Sequence, residues 1–142
     1  MEIALKEAYG AFKDGEVPVG AVVVLNGEVL GKGRNRVITN NDPTAHAEIV
    51  AIRNAGKRLG NYRLTNADLF VTIEPCIMCA GAIVQARLKG LIYGAVDAKG
   101  GAVDSLYKLL GDNKLNHTVE VTGGVLEERA RALIQKFFSE RR

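Results

Sequence analysis

At 142 residues, with 47% hydrophobic and 25% charged side chains, the chain has the length of one domain and enough apolar residues to bury a core. No apolar run approaches the ~18 residues of a membrane span and no basic-then-apolar leader opens the chain, so no membrane partner is expected and the cytoplasm is the expected location. A net charge of +3 permits a nucleic-acid partner without demanding one.

Met1 to Lys13 carries apolar residues at Met1, Ala4, Leu5, Ala8, Ala11 and Phe12, the stripe of a helix that Gly15 ends. Val19–Leu25 reads as a short strand, turned by Asn26-Gly27 into a second strand over Glu28–Asn35. Val37–Asp42 is a polar loop. Asp42-Pro43-Thr44 is expected to open a second helix with Ile49, Ile52, Ala55 and Leu59 as its core stripe, closed by Gly60-Asn61. Leu69–Ile73, rich in β-branched residues, is a buried strand stopped by Pro75, and a helix follows. Leu91–Tyr93 is a further strand ended by Gly94, Ser105–Leu110 holds one helical turn, and Thr118–Val121 is a last strand. Leu126, Ala130, Leu133, Ile134 and Phe137 mark the closing helix. Strands alternating with helices predict a layered α/β fold with a hairpin at one edge, and residues 1–142 read as one domain without repeat or linker.

The only two cysteines stand at Cys76 and Cys79, three residues apart at a strand-to-helix corner. On a helix that spacing puts both side chains on one face, about 5–6 Å apart at Cβ. Two sulfurs on one tetrahedral zinc sit roughly 3.7 Å apart, within that reach. The helix N-terminus favours thiolate over thiol. Two further ligands must come from elsewhere, and the chain has two histidines. A lone histidine is as a rule hydrogen-bonded or solvated, and His117 is read so. His46 is expected just inside the second helix, which starts after a strand as the Cys76 helix does, so both helix N-termini should face one sheet edge.

Glu48, two residues beyond His46, taken singly is a dipole-stabilising carboxylate in a first helical turn. Beside a metal ligand at a cleft it is better read as a proton carrier. Three protein ligands leave a fourth position for water, whose pKa a zinc lowers from about 15.7 toward about 7. With Glu48 carrying protons from that water to a ring nitrogen and a departing amine, the chemistry is hydrolytic deamination. Two other readings stand beside it: a closed site of His46, Cys76, Cys79 and His117, and a dithiol redox pair that leaves His46 and Glu48 without a role.

His46-Ala47-Glu48 with Pro75-Cys76-Ile77-Met78-Cys79 resembles the cytidine-deaminase-like zinc superfamily. Glu16-Val17-Pro18-Val19-Gly20-Ala21, Gly33-Arg34-Asn35, Asp42-Pro43-Thr44, Glu74, Tyr93-Gly94-Ala95, Asp97-Ala98-Lys99, Leu115-Asn116-His117 and Phe137-Phe138 extend the likeness to bacterial tRNA-specific adenosine deaminases. The resemblance implies a three-layer α-β-α sandwich around a mixed five-stranded sheet, one zinc per subunit on His46, Cys76 and Cys79, and Glu48 as proton shuttle. It implies a homodimer that converts adenosine to inosine at the wobble position of an arginine tRNA, binding its anticodon stem-loop. Asn35 matches a base-contacting asparagine, and the loop of Asp97 and Lys99 and the helix carrying Phe138 match RNA contacts. Those last residues favour tRNA over the nearest alternative, a free-base deaminase acting on guanine. The chain stops at Ser139-Glu140-Arg141-Arg142, where members of the family often carry a longer basic end, so a compact or trimmed member is expected.

Two further expectations follow, the first from the residues alone and the second, for Asp97, from where the resemblance places its loop, beside the target nucleotide. Ile77 to Val84 is apolar on every side, and a sheet can cover only one of them, so a second chain should cover another. Asp97, an acceptor where a phosphate backbone would repel it, is expected to accept a hydrogen bond from a 2′-hydroxyl.

Overall fold

The computed structural model describes residues 1–111 and 114–141; Arg142, the last of the basic end, lies outside them. Helix α1 (Glu2–Lys13) leads to strands β1 (Gly20–Leu25) and β2 (Glu28–Arg34), then helix α2 (Ala47–Leu59), strand β3 (Asp68–Ile73), helix α3 (Ile77–Gln85) and strand β4 (Gly90–Ala95). A 3-10 turn at Leu109–Gly111, strand β5 (Glu120–Thr122) and helix α4 (Glu127–Ser139) complete it. The five strands form one sheet in the order β2-β1-β3-β4-β5. β1 is antiparallel to both its neighbours, and β3, β4 and β5 are parallel. α1 and α4 touch each other and pack on one face, and α2 and α3 pack on the other, which makes the mixed α-β-α sandwich that was expected.

The hairpin between β1 and β2 turns on Asn26 (φ 51°) and Gly27 (φ 79°), the two left-handed positions that a tight two-residue turn requires. The stripe of α1 lies as its pattern indicated, with Ala4, Leu5, Ala8 and Ala11 buried. α2 differs in two respects. It begins at Ala47 rather than at Asp42–Thr44, because Thr44 is held in a turn by Asp42, whose carboxylate accepts from its N–H (2.9 Å) and hydroxyl (2.7 Å). Its buried face is Ala47, Glu48, Ala51 and Ala55, while Ile49 and Ile52 flank it half-buried and Leu59 is exposed.

The reason lies in β2. A Cβ at Gly33 would stand 2.4 Å from the carbonyl oxygen of Ala47 and 2.5 Å from the amide nitrogen of Ala51, and one at Gly31 would stand 2.5 Å from the nitrogen of Ala55. Alanines on the helix and glycines on the strand let the two backbones come together, so small residues take the core face that hydrophobicity alone assigns to isoleucine and leucine. β4 runs through Gly94 to Ala95, two residues past the expected end, since the parallel pairing of Ile73 with Ala95 continues past the glycine.

The topology sends several chain segments to one edge. The carboxyl ends of β3 and β4 lie beside the start of β1, where the Gly20 N–H donates to Thr72 Oγ1 at 3.2 Å. The end of β2 is next to them, since Gly20 pairs with Arg34. α2 and α3 both begin at this edge, the usual place for sites in open α/β sheets.

Candidate active site

His46 is the N-cap of α2 and Cys76 the N-cap of α3, both with extended backbone and neither giving a side-chain capping hydrogen bond. Each therefore stands one residue earlier than a place within the helix. Replacing a good cap in this way costs about 1 kcal/mol per helix. The two side chains instead turn toward each other. His46 Nδ1 lies 3.5 Å from Cys76 Sγ and 3.5 Å from Cys79 Sγ, and the three ligand atoms all fall within 4.8 Å of one another. A tetrahedral zinc with bonds of about 2.0–2.1 Å to nitrogen and about 2.3 Å to sulfur sets N···S edges of about 3.5 Å, so donor set and spacing fit that ion. His117 is elsewhere: its Nε2 pairs with the Leu88 carbonyl at 2.6 Å. The four-ligand closed reading loses its fourth member, and the cluster among the described residues has three.

The three groups are linked to one another by hydrogen bonds and charge. The hydrogen bond with Cys79 holds the Cys76 thiol well below the ordinary thiol range, with His46 adding to it. The same bond, with burial, pushes Cys79 up. Hydrogen bonding to Cys76 raises His46 against the effect of its burial. Glu48 follows one residue into α2 and is 4% exposed. Burial lifts its carboxyl to about 7, against the pull of its own backbone N–H and of His46. A carboxyl poised there exchanges protons readily at neutral pH.

A cavity of about 240 Å³ opens in front of these groups, with His46, Glu48, Cys76, Asn35 and Asp97 among its lining residues. That is space enough to admit a single base. Asn35 Oδ1 accepts from the Val37 N–H (3.3 Å), which leaves its amide NH2 as the end available to a ligand. Asp97 Oδ1 accepts from the N–H groups of Lys99 (3.1 Å) and Gly100 (3.2 Å), closing its own turn and leaving Oδ2. Lys99 and Phe138 do not reach this cavity. They line a second groove of about 1030 Å³ that shares Val17, Val19, Ile73 and Asp97 with it and adds Arg131 and Arg141. Phe138 is 48% exposed, packed edge-on against the buried ring of Phe137 at 5.3 Å.

The family model of the MafB19-like deaminases matches residues 1–142. The tRNA-specific adenosine deaminase of Haemophilus influenzae is 50% identical over 143 residues, covering all of this chain and 83% of that one. The chain belongs to the tRNA-specific adenosine deaminases. A solved structure from work on A-to-I editing by tRNA:A34 deaminases at the wobble position superposes on this deaminase with a TM-score of 0.91 and 48% identity, over 94% of this chain and 96% of that one. A guanine deaminase from Nitrosomonas europaea superposes at 0.83 over 97% of this chain and 82% of its own, but at 24% identity it shares the fold alone. With His46 and Glu48 in one wall of the deaminase cavity, the dithiol redox reading has no support from its surroundings.

Two buried carboxylates, Glu16 and Glu74, stand in the quoted motifs without a role assigned to them. The structure gives each a full set of donors. Glu16 accepts from the N–H groups of Ile38 (3.1 Å) and Thr39 (2.7 Å) and from Thr39 Oγ1 (2.6 Å). Glu74 accepts from the N–H groups of Asp97 (3.0 Å), Val103 (3.1 Å), Asp104 (2.8 Å) and Ser105 (2.9 Å), and from Ser105 Oγ (2.5 Å). The signal in the sequence was an ionisable residue inside an otherwise apolar stretch, Thr72-Ile73-Glu74-Pro75.

Proposed function

We propose that this deaminase hydrolyses the wobble adenosine of a tRNA anticodon, that of an arginine tRNA among them, to inosine in the cytoplasm. The carrying observation is a base-sized cavity with Glu48 beside a three-residue nitrogen and sulfur ligand set, opening into a groove with exposed cations and an exposed aromatic ring. His46, Cys76 and Cys79 would hold one zinc per chain. Bound there, the ion supplies the Lewis acidity that makes water nucleophilic at neutral pH.

The chain's own residues do the rest. Glu48 moves protons from the attacking water to N1 of the purine and then to the amine leaving C6, so a C–O bond forms, a C–N bond breaks and ammonia departs. The Asn35 NH2 donates to an acceptor of the base and fixes its orientation. Outside the cavity Phe138 offers a stacking face and Lys99 a charge for the phosphate backbone. The test is inosine and ammonia release from an anticodon stem-loop with a wobble adenosine, with free guanine and free adenosine alongside. Turnover of guanine without turnover of the stem-loop returns the free-base alternative.

Asp97 is assigned the choice of RNA over DNA, by accepting from a 2′-hydroxyl with Oδ2. Asp97→Asn keeps the oxygen that closes the loop turn and replaces only the free acceptor by a donor. The ratio of kcat/KM on an RNA stem-loop to that on its DNA counterpart is expected to fall by roughly one to two decades. An unchanged ratio leaves Asp97 as a turn-forming residue only.

The deaminase is further assigned a homodimeric state. α3 buries Cys79, Ala80, Ile83 and Val84, whereas Ile77 is 59% exposed and Gly81 is also on the surface. A second copy laid on that face would bury an apolar residue that water now meets. Sedimentation is expected to give a dimer at micromolar concentration and a monomer for Ile77→Glu. A wild-type monomer under those conditions overturns the assignment.

A further inference from the structure

Glu16 and Glu74 are buried carboxylates that the chemistry leaves unused. They are 1% and 3% exposed, and neither has an ion-pair partner among the described residues. Each charge is met by backbone N–H groups and one hydroxyl. A buried carboxylate surrounded this way is stable only while its donors stay in place, and the donors belong to loops. For Glu16 the loop is the one between β2 and α2, which runs from Asn35 of the cavity wall to His46. For Glu74 it is the one after β4, which carries Asp97 and Lys99. The Glu74 carboxylate leaves no spare room: a Cβ at Gly101 would stand 2.3–2.4 Å from its carboxyl atoms. For Glu16, burial, which alone would raise the carboxyl, is outweighed by these hydrogen bonds, and it is held below the usual carboxylate range.

The attachment points decide what the two groups act upon. Glu16 directly precedes Val17, and Glu74 directly follows Ile73, both shared by the cavity and the outer groove. Each loop supplies a polar lining residue of the cavity, Asn35 from one and Asp97 from the other. We infer that Glu16 and Glu74 are positioning residues that separately clamp the two loops at the cavity mouth and so set the aperture for the target nucleotide. The inference deepens the tRNA reading and rests on it for the identity of that nucleotide. His46, where the Glu16-held loop ends, and Glu48 are seated by α2, and Cys76, two residues past Glu74, and Cys79 by α3, while the donors of the two carboxylates lie further out in the loops, at 38–39 and 97–105. Loosening a clamp therefore acts on substrate capture before it acts on chemistry.

The test uses Glu16→Gln and Glu74→Gln in the zinc-loaded full chain. Glutamine keeps the size but turns an amide NH2 toward N–H donors, which breaks the clamp from within. Backbone hydrogen exchange is read first. Glu74→Gln is expected to speed exchange at Asp97, Val103, Asp104 and Ser105 and to leave Ile38 and Thr39 as in wild type, and Glu16→Gln the reverse. On the stem-loop, each variant is expected to raise KM about tenfold, the worth of a lost charge-assisted hydrogen bond, with kcat changed much less. Ser105→Ala and Thr39→Val remove one donor each without touching the carboxylates, and give the same pattern at smaller size if the glutamine variants fold poorly.

Exchange that rises over the whole chain in all four variants, or a fall in kcat at unchanged KM, makes the carboxylates supports of the fold and overturns the inference. Unaltered exchange at both loops does so as well. If wild type forms no inosine from the stem-loop, the functional reading fails, and the exchange pattern still decides whether the clamps exist.

Discussion

Glu48→Ala is expected to retain one zinc per chain and to lose turnover of the wobble adenosine by about 10²–10⁴-fold, the usual share of general acid–base catalysis. The atoms proposed to hold the zinc are His46 Nδ1 and the two sulfurs, and among the described residues no carboxylate belongs to that cluster. Removing the Glu48 side chain leaves those three where the starts of α2 and α3 hold them. What is lost is the buried carboxyl that stands two residues from His46 in the wall of the cavity, the proposed proton carrier. The fold should bear the change well, because a carboxyl that burial has lifted to about 7 contributes little to stability by being charged. Metal content by elemental analysis and inosine formation on the stem-loop check the two halves separately. Loss of zinc in the variant would make Glu48 a ligand and undo its role as carrier.

How far the sequence could be read depended on the range of the interaction. Cys76 and Cys79 are three positions apart with two residues between them, and local spacing suffices to bring them together. His46 is thirty residues from Cys76, and placing it needed only the rule that helices after strands start at one sheet edge. The hairpin at Asn26-Gly27 and the face of α1 follow from local pattern alone. The face of α2 did not, since its contacts are set by glycines on β2 that lie outside any window drawn along the helix. Nor did the donors of Glu16 and Glu74. The nearest of them are 22 and 23 residues away along the chain and are backbone N–H groups, which every residue but proline carries. A side chain that binds backbone leaves no mark at the position it binds.

The same close approach yields the largest effect expected on stability. Gly33→Ala places a methyl group 2.4 Å from the Ala47 carbonyl oxygen and 2.5 Å from the Ala51 nitrogen. Both are backbone atoms, so no rotamer change relieves the clash and α2 must lift from β2. Overpacking of this kind costs about 1–3 kcal/mol, and more where only backbone can yield. Ala47 is the first residue of α2 and His46 its cap, so a lifted helix also carries the imidazole away from Cys76 and Cys79. Weaker zinc binding should accompany the lower denaturant midpoint. Gly56→Ala serves as the control, since it lies in the same helix and its added Cβ meets nothing nearer than the Asn61 carbonyl at 3.5 Å. There the better helix propensity of alanine should raise stability by about 0.5–1 kcal/mol. Opposite signs for one substitution at two glycines, with zinc affinity falling only for Gly33→Ala, would tie the metal site to the packing of α2 on β2. A wild-type midpoint for Gly33→Ala would mean that the helix has room to spare and that the glycine does not seat His46.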